Sequence, residues 1–170
     1  YPAGGGKNLF DYKSYKSKNS NIEITISGDN VRMYTTSDGE YRGLKYESFT
    51  AVAGTSYTGS FTLNTYVSGV MTFGLRDAST NKFLVSKTVT NTGSYSFTYT
   101  PTANVEIYPS ILVTNSSILS GDITFSKVQL EIGSTATEYA PYSNIRPISG
   151  WTAACPSDGD LYAEILRTYL

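Results

Sequence analysis

Short stretches of strictly alternating apolar and polar residues, separated by turn residues, dominate this chain. The longest alternation runs over residues 57–67. A repeat of two is the period of a β-strand with one face buried, and no amphipathic helix produces it. We therefore predict a strand there whose core-facing positions are Tyr57, Gly59, Phe61, Leu63, Thr65 and Val67.

Similar segments recur along the chain about 8 to 12 residues apart, with Gly, Asn, Asp or Ser turns between them. They cover residues 22–26, 31–34, 46–52, 57–67, 70–76, 83–89, 95–99, 105–113 and 123–132. Tyrosine is abundant, at 15 residues, and charged residues make up only 16% of the chain, a composition that favours strands over helices. The pattern predicts an all-β sandwich of eight or nine antiparallel strands.

The closing strand has one irregularity. Val128 and Leu130 alternate with polar neighbours, but Phe125 belongs to the opposite parity. One inserted residue reverses the faces of a strand in this way, so a β-bulge is predicted between Phe125 and Val128.

At 170 residues the chain has room for one domain and a short appendage. Residues 1–7, with three successive glycines, are expected to be a flexible lead-in, residues 8–143 the domain, and residues 144–170 a connector and tail. The spacing of Leu161, Ile165, Leu166 and Tyr169 is typical of a short helix; the alternative is a strand that pairs with a neighbour. A helix this short would need to pack on the domain or on other chains.

The residue inventory argues against catalysis. The chain has no histidine, and its one cysteine, Cys155, therefore has no histidine partner. The glycine run 4–6 lacks the spacing of a phosphate-binding loop, and no pair of catalytic carboxylates is visible. We expect neither an enzyme nor a cofactor.

Charge and hydropathy exclude two kinds of partner. The net charge is −1 with no block of like charge, so nucleic acid is not expected. No apolar run approaches the roughly 20 residues of a membrane-spanning helix, and the N-terminus lacks the basic and apolar regions of a signal peptide. The chain is expected to be soluble, without membrane insertion, and mature or never secreted through a signal peptide.

Residues 125–142, FSKVQLEIGSTATEYAPY, resemble the strings that close the carbohydrate-binding-module-like jelly rolls of bacteriophage tail and baseplate proteins. Further resemblances occur in the same order along the chain: NLFD at 8–11, AGTSYTGSF at 53–61, SYSFTYTPTANVEIYPSI at 94–111, and the connector NIRPISGW at 144–151. Together the domain strings span residues 7 to about 143. The resemblance implies a jelly-roll fold.

The resemblance also implies a function: a non-catalytic module of a phage or prophage tail, baseplate or receptor-binding protein that attaches to bacterial cell-surface saccharides. Its partners would be the saccharide and other tail or baseplate subunits, with a homo-oligomer formed through residues 144–170. The location would be the virion (the phage tail) or otherwise extracellular. Two alternatives stay open: an assembly module without sugar binding, and the binding module of a secreted bacterial glycosidase or adhesin.

Related enzyme-borne modules often hold a structural calcium with an aspartate just before the valine of the closing strand. Ser126 and Lys127 occupy those positions here, so no metal is expected. The sequence Asp158-Gly159-Asp160 lacks the ligand spacing of an EF-hand and is expected to be a turn or helix cap.

In a jelly roll, one sheet can present an outer face on which aromatic rings stack against sugars and polar groups bond their hydroxyls. By alternation, four polar or aromatic side chains leave the core face, and an arginine ends a neighbouring strand. The candidate ligand-binding residues are Asn64, Tyr66, Arg76, Glu106 and Tyr108. The alternative is that Tyr66 and Tyr108 only cover sheet edges or contact the tail. A second candidate cluster comprises Tyr34, Tyr41 and Arg42, and Trp151 is expected to anchor the connector.

Overall fold

Two antiparallel sheets form the part of the chain that the computed structural model describes, residues 7–143. The strands are β1 (Ser17–Lys18), β2 (Ile22–Ser27), β3 (Asn30–Thr35), β4 (Gly43–Lys45), β5 (Phe49–Ala51), β6 (Tyr57–Ser68), β7 (Met71–Asp77), β8 (Phe83–Val89), β9 (Gly93–Tyr99), β10 (Val105–Leu112) and β11 (Asp122–Ile132). The predicted connector and tail, 144–170, lie outside the described residues, and so do most of the lead-in, Trp151, Cys155 and Asp158 to Asp160.

One sheet has the strand order β1-β4-β10-β7-β8, with β5 also paired to β10, and the other has the order β2-β3-β11-β6-β9. Strands distant in sequence are neighbours in both sheets, as in a jelly roll, and their buried faces meet in one core. The prediction of an all-β jelly-roll sandwich is confirmed.

The strand count differs at short elements. The predicted strand 46–52 is only Phe49–Ala51, and β1 and β4, of two and three residues, were not predicted. Both β4 and β5 pair with the same side of β10, one after the other. Pro109 lies opposite the gap between them, where its carbonyl accepts the Tyr46 N–H at 3.1 Å. Because proline has no N–H to donate, the break costs no ladder hydrogen bond.

Aromatic rings fill the centre of the core. Phe73 contacts the rings of Phe10, Phe61 and Phe97, with centroids 5.8, 5.9 and 5.1 Å away. A Cβ on Gly59 would come within 2.4 Å of the Phe97 ring, so this strand position requires glycine.

Two buried phenols connect the N-terminal segment to the sandwich. Tyr46 donates to the Tyr12 carbonyl at 2.7 Å, and Tyr12 donates to the Asp29 carbonyl. Burial raises the pKa of both phenols well above their ordinary value, so both are neutral donors at physiological pH.

The predicted bulge is confirmed. Ser126 pairs with Thr62 and Gln129 with Ser60, so Lys127 and Val128 together stand opposite Phe61. Lys127 takes a left-handed backbone conformation with φ 54°, and its N–H donates to the Tyr12 hydroxyl at 3.3 Å. This local reversal keeps both Phe125 and Val128 in the core.

A second irregularity corrects the prediction for β6. Thr124 pairs with Thr65 but Phe125 pairs with Leu63, which leaves Asn64 as an extra residue on β6. After Asn64, the positions of β6 that were expected to face the core face outward instead: Thr65 is exposed and Val67 is 64% exposed. The core prediction holds for Tyr57, Gly59, Phe61 and Leu63 and is wrong for Thr65 and Val67.

The segment after β11 crosses the outer face of the five-stranded sheet. Gln129 and Glu131 point outward, yet both are buried because this segment covers them. Glu131 accepts hydrogen bonds from Thr137 N at 3.0 Å, Thr137 Oγ1 at 2.6 Å and Gln129 Nε2 at 2.8 Å. Gln129 Oε1 in turn accepts the Ala140 N–H at 2.9 Å. The polar residues of the VQLE string therefore hold the GSTATEYAPY string in place.

Candidate functional site

Strand β10 presents its polar and aromatic side chains on the outer face of the six-stranded sheet. Ile107 and Ile111 belong to the core, so Tyr108, Ser110 and Leu112 face outward by alternation. Residues directly opposite each other in a sheet share a face. Arg76 of β7 pairs with Tyr108, and Lys45 of β4 pairs with Ser110.

A shallow depression of about 240 Å³ lies over this part of the sheet. Its lining residues are Ser17, Lys18, Asn19, Tyr41, Gly43, Leu44, Lys45, Arg76, Tyr108, Ser110 and Leu112. The volume is below the range of roughly 300 to 1,000 Å³ of enclosed small-molecule pockets. The surface therefore suits one unit of a longer ligand that lies across the sheet.

Tyr108 forms the floor of the depression. Its hydroxyl donates to Asn81 Oδ1 at 2.9 Å, and the Lys45 ammonium lies 4.5 Å from its ring centroid. Lys45 is exposed but Tyr108 is only 5% exposed, so a ligand would contact the face of this ring only after Lys45 moved; an exposed cation–π contact is worth about 0.5–1 kcal/mol.

Arg76 is held beside Tyr108. Its guanidinium lies 4.1 Å from the centroid of the Phe83 ring, and Nη1 donates to the Asn81 carbonyl at 2.6 Å. The Phe83 ring in turn occupies space over Gly74, where a Cβ would approach it to 2.8 Å. The arginine head is therefore positioned by the protein before any ligand arrives.

The loop between β7 and β8 supplies both of these anchor points. Asn81 has φ 61°, which lets its side chain reach Tyr108 while its carbonyl reaches Arg76. Asp77 caps the loop by accepting Ser79 N and Ser79 Oγ at 2.7 and 2.6 Å, and the Ser79 hydroxyl bond is the main cause of the lowered pKa of its carboxyl.

Glu106 faces the same side of β10, two residues before Tyr108, but it does not line the depression. Its Oε1 accepts the Thr50 hydroxyl at 2.7 Å.

The expected convergence of all five candidate residues is wrong, because they lie on different sheets. Asn64 and Tyr66 belong to β6 in the five-stranded sheet, whereas Arg76, Glu106 and Tyr108 belong to the six-stranded sheet. Tyr66 packs against the core and donates to the Gly69 carbonyl at 3.0 Å, a consequence of the extra residue at Asn64. The structure brings together Arg76 and Tyr108, with Glu106 one step away.

The second predicted cluster also divides. Tyr41, 49% exposed, joins Arg76 and Tyr108 at the rim of the depression. Tyr34 lies on the other sheet with the Arg32 guanidinium 4.5 Å above its ring. Arg42 packs against Gly39, and its buried Nε has no hydrogen-bond partner.

Sequence reasoning did not identify Lys45 or Ser110 as site residues. Ser110 shares the parity of Tyr108 on β10, a signal that was present in the sequence. Lys45 belongs to a three-residue strand, too short for its alternation to indicate a face.

A larger depression, of about 340 Å³, lies on the outer face of the five-stranded sheet. Its hydroxyl side chains bond in part to one another, as in the Thr62–Ser94 contact at 2.9 Å, and the closing segment forms one wall through Thr137 and Tyr139. Its lining contains one cation, Lys127, against three in the depression over Tyr108.

Within residues 7–143 no three His, Cys, Asp or Glu side chains are grouped so that they could hold a metal ion. The same residues contain no helix with the length and apolar character needed to cross a membrane.

No protein-family model matches this chain, and no curated protein matches its sequence. Solved structures are similar in fold. A structure described as "CBM4 structure and function" has a TM-score of 0.54 at 14% identity, covering 73% of this chain and 84% of that one. The CBM22-1–GH10 modules of Clostridium thermocellum endo-1,4-β-D-xylanase 10B, complexed with xylohexaose, have a TM-score of 0.50 at 16% identity, covering 81% of this chain and 29% of that longer chain. The chain shares the jelly-roll fold of these carbohydrate-binding modules.

Proposed function

We propose that this protein is a non-catalytic saccharide-binding module that uses the outer face of the six-stranded sheet. The observation that carries the proposal is the depression in which Tyr108, Tyr41 and the polar groups of Lys45, Arg76 and Ser110 meet. Rings and hydrogen-bonding groups in one shallow surface are what a sugar needs, since its ring has apolar faces and polar edges. The shared fold with carbohydrate-binding modules supports the proposal.

Binding would take place without chemistry. A sugar ring would lie on the Tyr108 ring once Lys45 moves, with Tyr41 closing one side. Arg76 would bond hydroxyl groups at its edge. Such contacts are weak at a single site, and several copies on one particle would raise the overall affinity.

The test is calorimetric titration of the full chain with a panel of neutral and acidic oligosaccharides and bacterial surface polysaccharides. Tyr41→Ala should weaken binding about tenfold, equivalent to roughly 1.4 kcal/mol, because Tyr41 is exposed and its ring contributes contact area. The matched control is Tyr34→Ala, which removes a tyrosine from the outer face of the other sheet.

Tyr34→Ala should bind as the parent does. Equal losses of affinity in Tyr41→Ala and Tyr34→Ala would show that the binding site does not lie on the six-stranded sheet. Absence of binding to every saccharide would refute the proposed function.

We further propose that the module belongs to a phage or prophage tail, baseplate or receptor-binding protein and attaches it to bacterial surface saccharides. The support is the resemblance of residues 125–142 to closing strings of such proteins. In that setting the protein would reside on the virion or otherwise outside the cell, beside other tail subunits. Staining of bacterial cells by the fluorescently labelled full chain, abolished by enzymatic removal of surface polysaccharide, is the expected result.

A further inference from the structure

We propose that the depression over Tyr108 selects an acidic saccharide, one that carries carboxylate groups, over its neutral counterpart. This inference rests on the proposed function, since it specifies the sugar class for the same site. It adds a charged contact to Arg76 and Lys45 to the ring stacking and hydroxyl contacts of that site.

The charge of the lining is the first observation. Three lining residues are cations, Lys18, Lys45 and Arg76, and none is an aspartate or glutamate. The Lys18 ammonium donates a hydrogen bond to the Ile22 carbonyl at 2.7 Å. The other two cations, Lys45 and Arg76, lie on either side of Tyr108. The carboxylate on the same face of β10 is Glu106, outside the lining and already engaged by Thr50.

The lack of ion pairs is the second observation. Over residues 7–143 the salt bridges are Lys13–Asp29, Lys16–Glu47 and Arg32–Asp122. Lys45 and Arg76 therefore have no carboxylate partner within this part of the chain. Most other lysines and arginines of residues 7–143 also lie outside these three pairs, so what distinguishes Lys45 and Arg76 is that both line one depression whose lining has no carboxylate.

The two outward-facing strand arginines provide an internal comparison. Arg32, on the five-stranded sheet, binds Asp122 with both arms of its fork, Nε to Oδ1 at 3.0 Å and Nη2 to Oδ2 at 2.8 Å. Arg76 is positioned as firmly, by Phe83 and by Asn81, yet only Nη1 has a hydrogen-bond acceptor. Its remaining N–H donors match the geometry of a carboxylate supplied from outside.

Position agrees with this assignment. Neighbouring strands lie about 4.8 Å apart, so β4 and β7 flank β10 at a separation of roughly 10 Å. A sugar ring over Tyr108 would lie between Arg76 on β7 and Lys45 on β4. Its carboxylate would meet the Arg76 fork, and the Lys45 ammonium would leave the Tyr108 ring for a neighbouring anionic or hydroxyl oxygen.

The experiment compares each acidic oligosaccharide with its own methyl ester, which keeps the sugar and removes the charge. The probes are oligogalacturonate, alginate oligosaccharides and hyaluronan oligosaccharides, titrated into the full chain by calorimetry. The expected result is that at least one acid binds about tenfold more tightly than its ester, and that added salt weakens the acid but not the ester.

Substitutions of Arg76 and Lys45 test whether these two residues cause the preference for the acid. Arg76→Gln and Lys45→Gln should each reduce the ratio of acid affinity to ester affinity severalfold, whatever change each substitution makes to binding of the ester. Arg76→Lys, which keeps the charge without the fork, should recover only part of the preference. Lys87→Gln is the control, because it removes an exposed cation on β8 outside the depression and should change nothing.

The outcomes separate this inference from the proposed function. Equal binding of acid and ester overturns the acidic preference but leaves the saccharide-binding function intact. A preference that persists in both Arg76→Gln and Lys45→Gln overturns the assigned residues. Binding of no saccharide in any form overturns both proposals.

Discussion

At the residue scale, Glu131 explains why the closing string has its particular polar residues. A carboxylate only 3% exposed normally requires a cation, but Glu131 instead accepts three hydrogen bonds, two of them from Thr137. Hydrogen bonds to a charged acceptor are worth about 1.5–3 kcal/mol each, enough to offset much of the cost of burial. The side chain thus stabilises the segment that lies over it.

Glu131→Ala should therefore destabilise the protein by roughly 2–4 kcal/mol, because it leaves the Thr137 and Gln129 donors without their acceptor. Urea denaturation of the two proteins measures this difference. Glu131→Gln should cost less, since its amide oxygen still accepts. The exposed Glu138, seven residues on, is the control, and Glu138→Ala should change stability by less than about 0.5 kcal/mol. Equal effects at Glu131 and Glu138 would show that the buried network contributes nothing.

At the residue scale the site was only partly predictable. Tyr108 and Arg76 were found because alternation within one strand indicates which residues share a face. Asn64 and Tyr66 were misplaced because sheet membership depends on pairing between residues far apart in sequence. The extra residue at Asn64 has no local signal, since Thr65 and Val67 continue the alternation.

At the element scale, the bulge in β11 could be predicted because both of its flanks are apolar. Phe125 and Val128 must both enter the core, and three positions of separation forbid that in a regular strand. The short strands β1 and β4 could not be predicted, because two or three residues contain no periodic signal. β4 pairs with β10, and β1 pairs with the other side of β4, so both depend on partners distant in sequence.

The bulge makes a prediction about stability. Lys127 has φ 54°, a conformation that costs a non-glycine residue about 1–2 kcal/mol, so Lys127→Gly should stabilise the protein by about 0.5–1 kcal/mol after the entropy cost of glycine. Lys87→Gly, within a regular part of β8, should destabilise it by a similar amount. Thermal unfolding should therefore show a higher midpoint for Lys127→Gly and a lower midpoint for Lys87→Gly. A loss of stability in both variants would mean that Lys127 contributes through its side chain.

At the scale of the whole molecule, the two ends of the described chain are bound together. Asn8 is 2% exposed; its Oδ1 accepts the Leu130 N–H at 3.2 Å and its Nδ2 donates to the Ala140 carbonyl at 3.1 Å. Leu9 N adds a bond to the Leu130 carbonyl at 2.8 Å. The first residues of the predicted domain therefore bind both its last strand and the segment that follows that strand.

That closure gives a test of the predicted boundaries, 8–143, and of the assembly alternative together. A chain of residues 8–143 should unfold in one cooperative transition with a midpoint within a few degrees of the full chain, because it keeps β1 to β11 and both Asn8 contacts. Asn8→Ala in the same truncated chain should lower the midpoint by several degrees, since it leaves buried backbone groups unpaired.

Light scattering then compares the truncated and full chains at high concentration. Monomers in both cases would exclude residues 144–170 as an assembly device, whereas a larger particle for the full chain alone would favour the assembly role and the multiple copies that weak saccharide sites require.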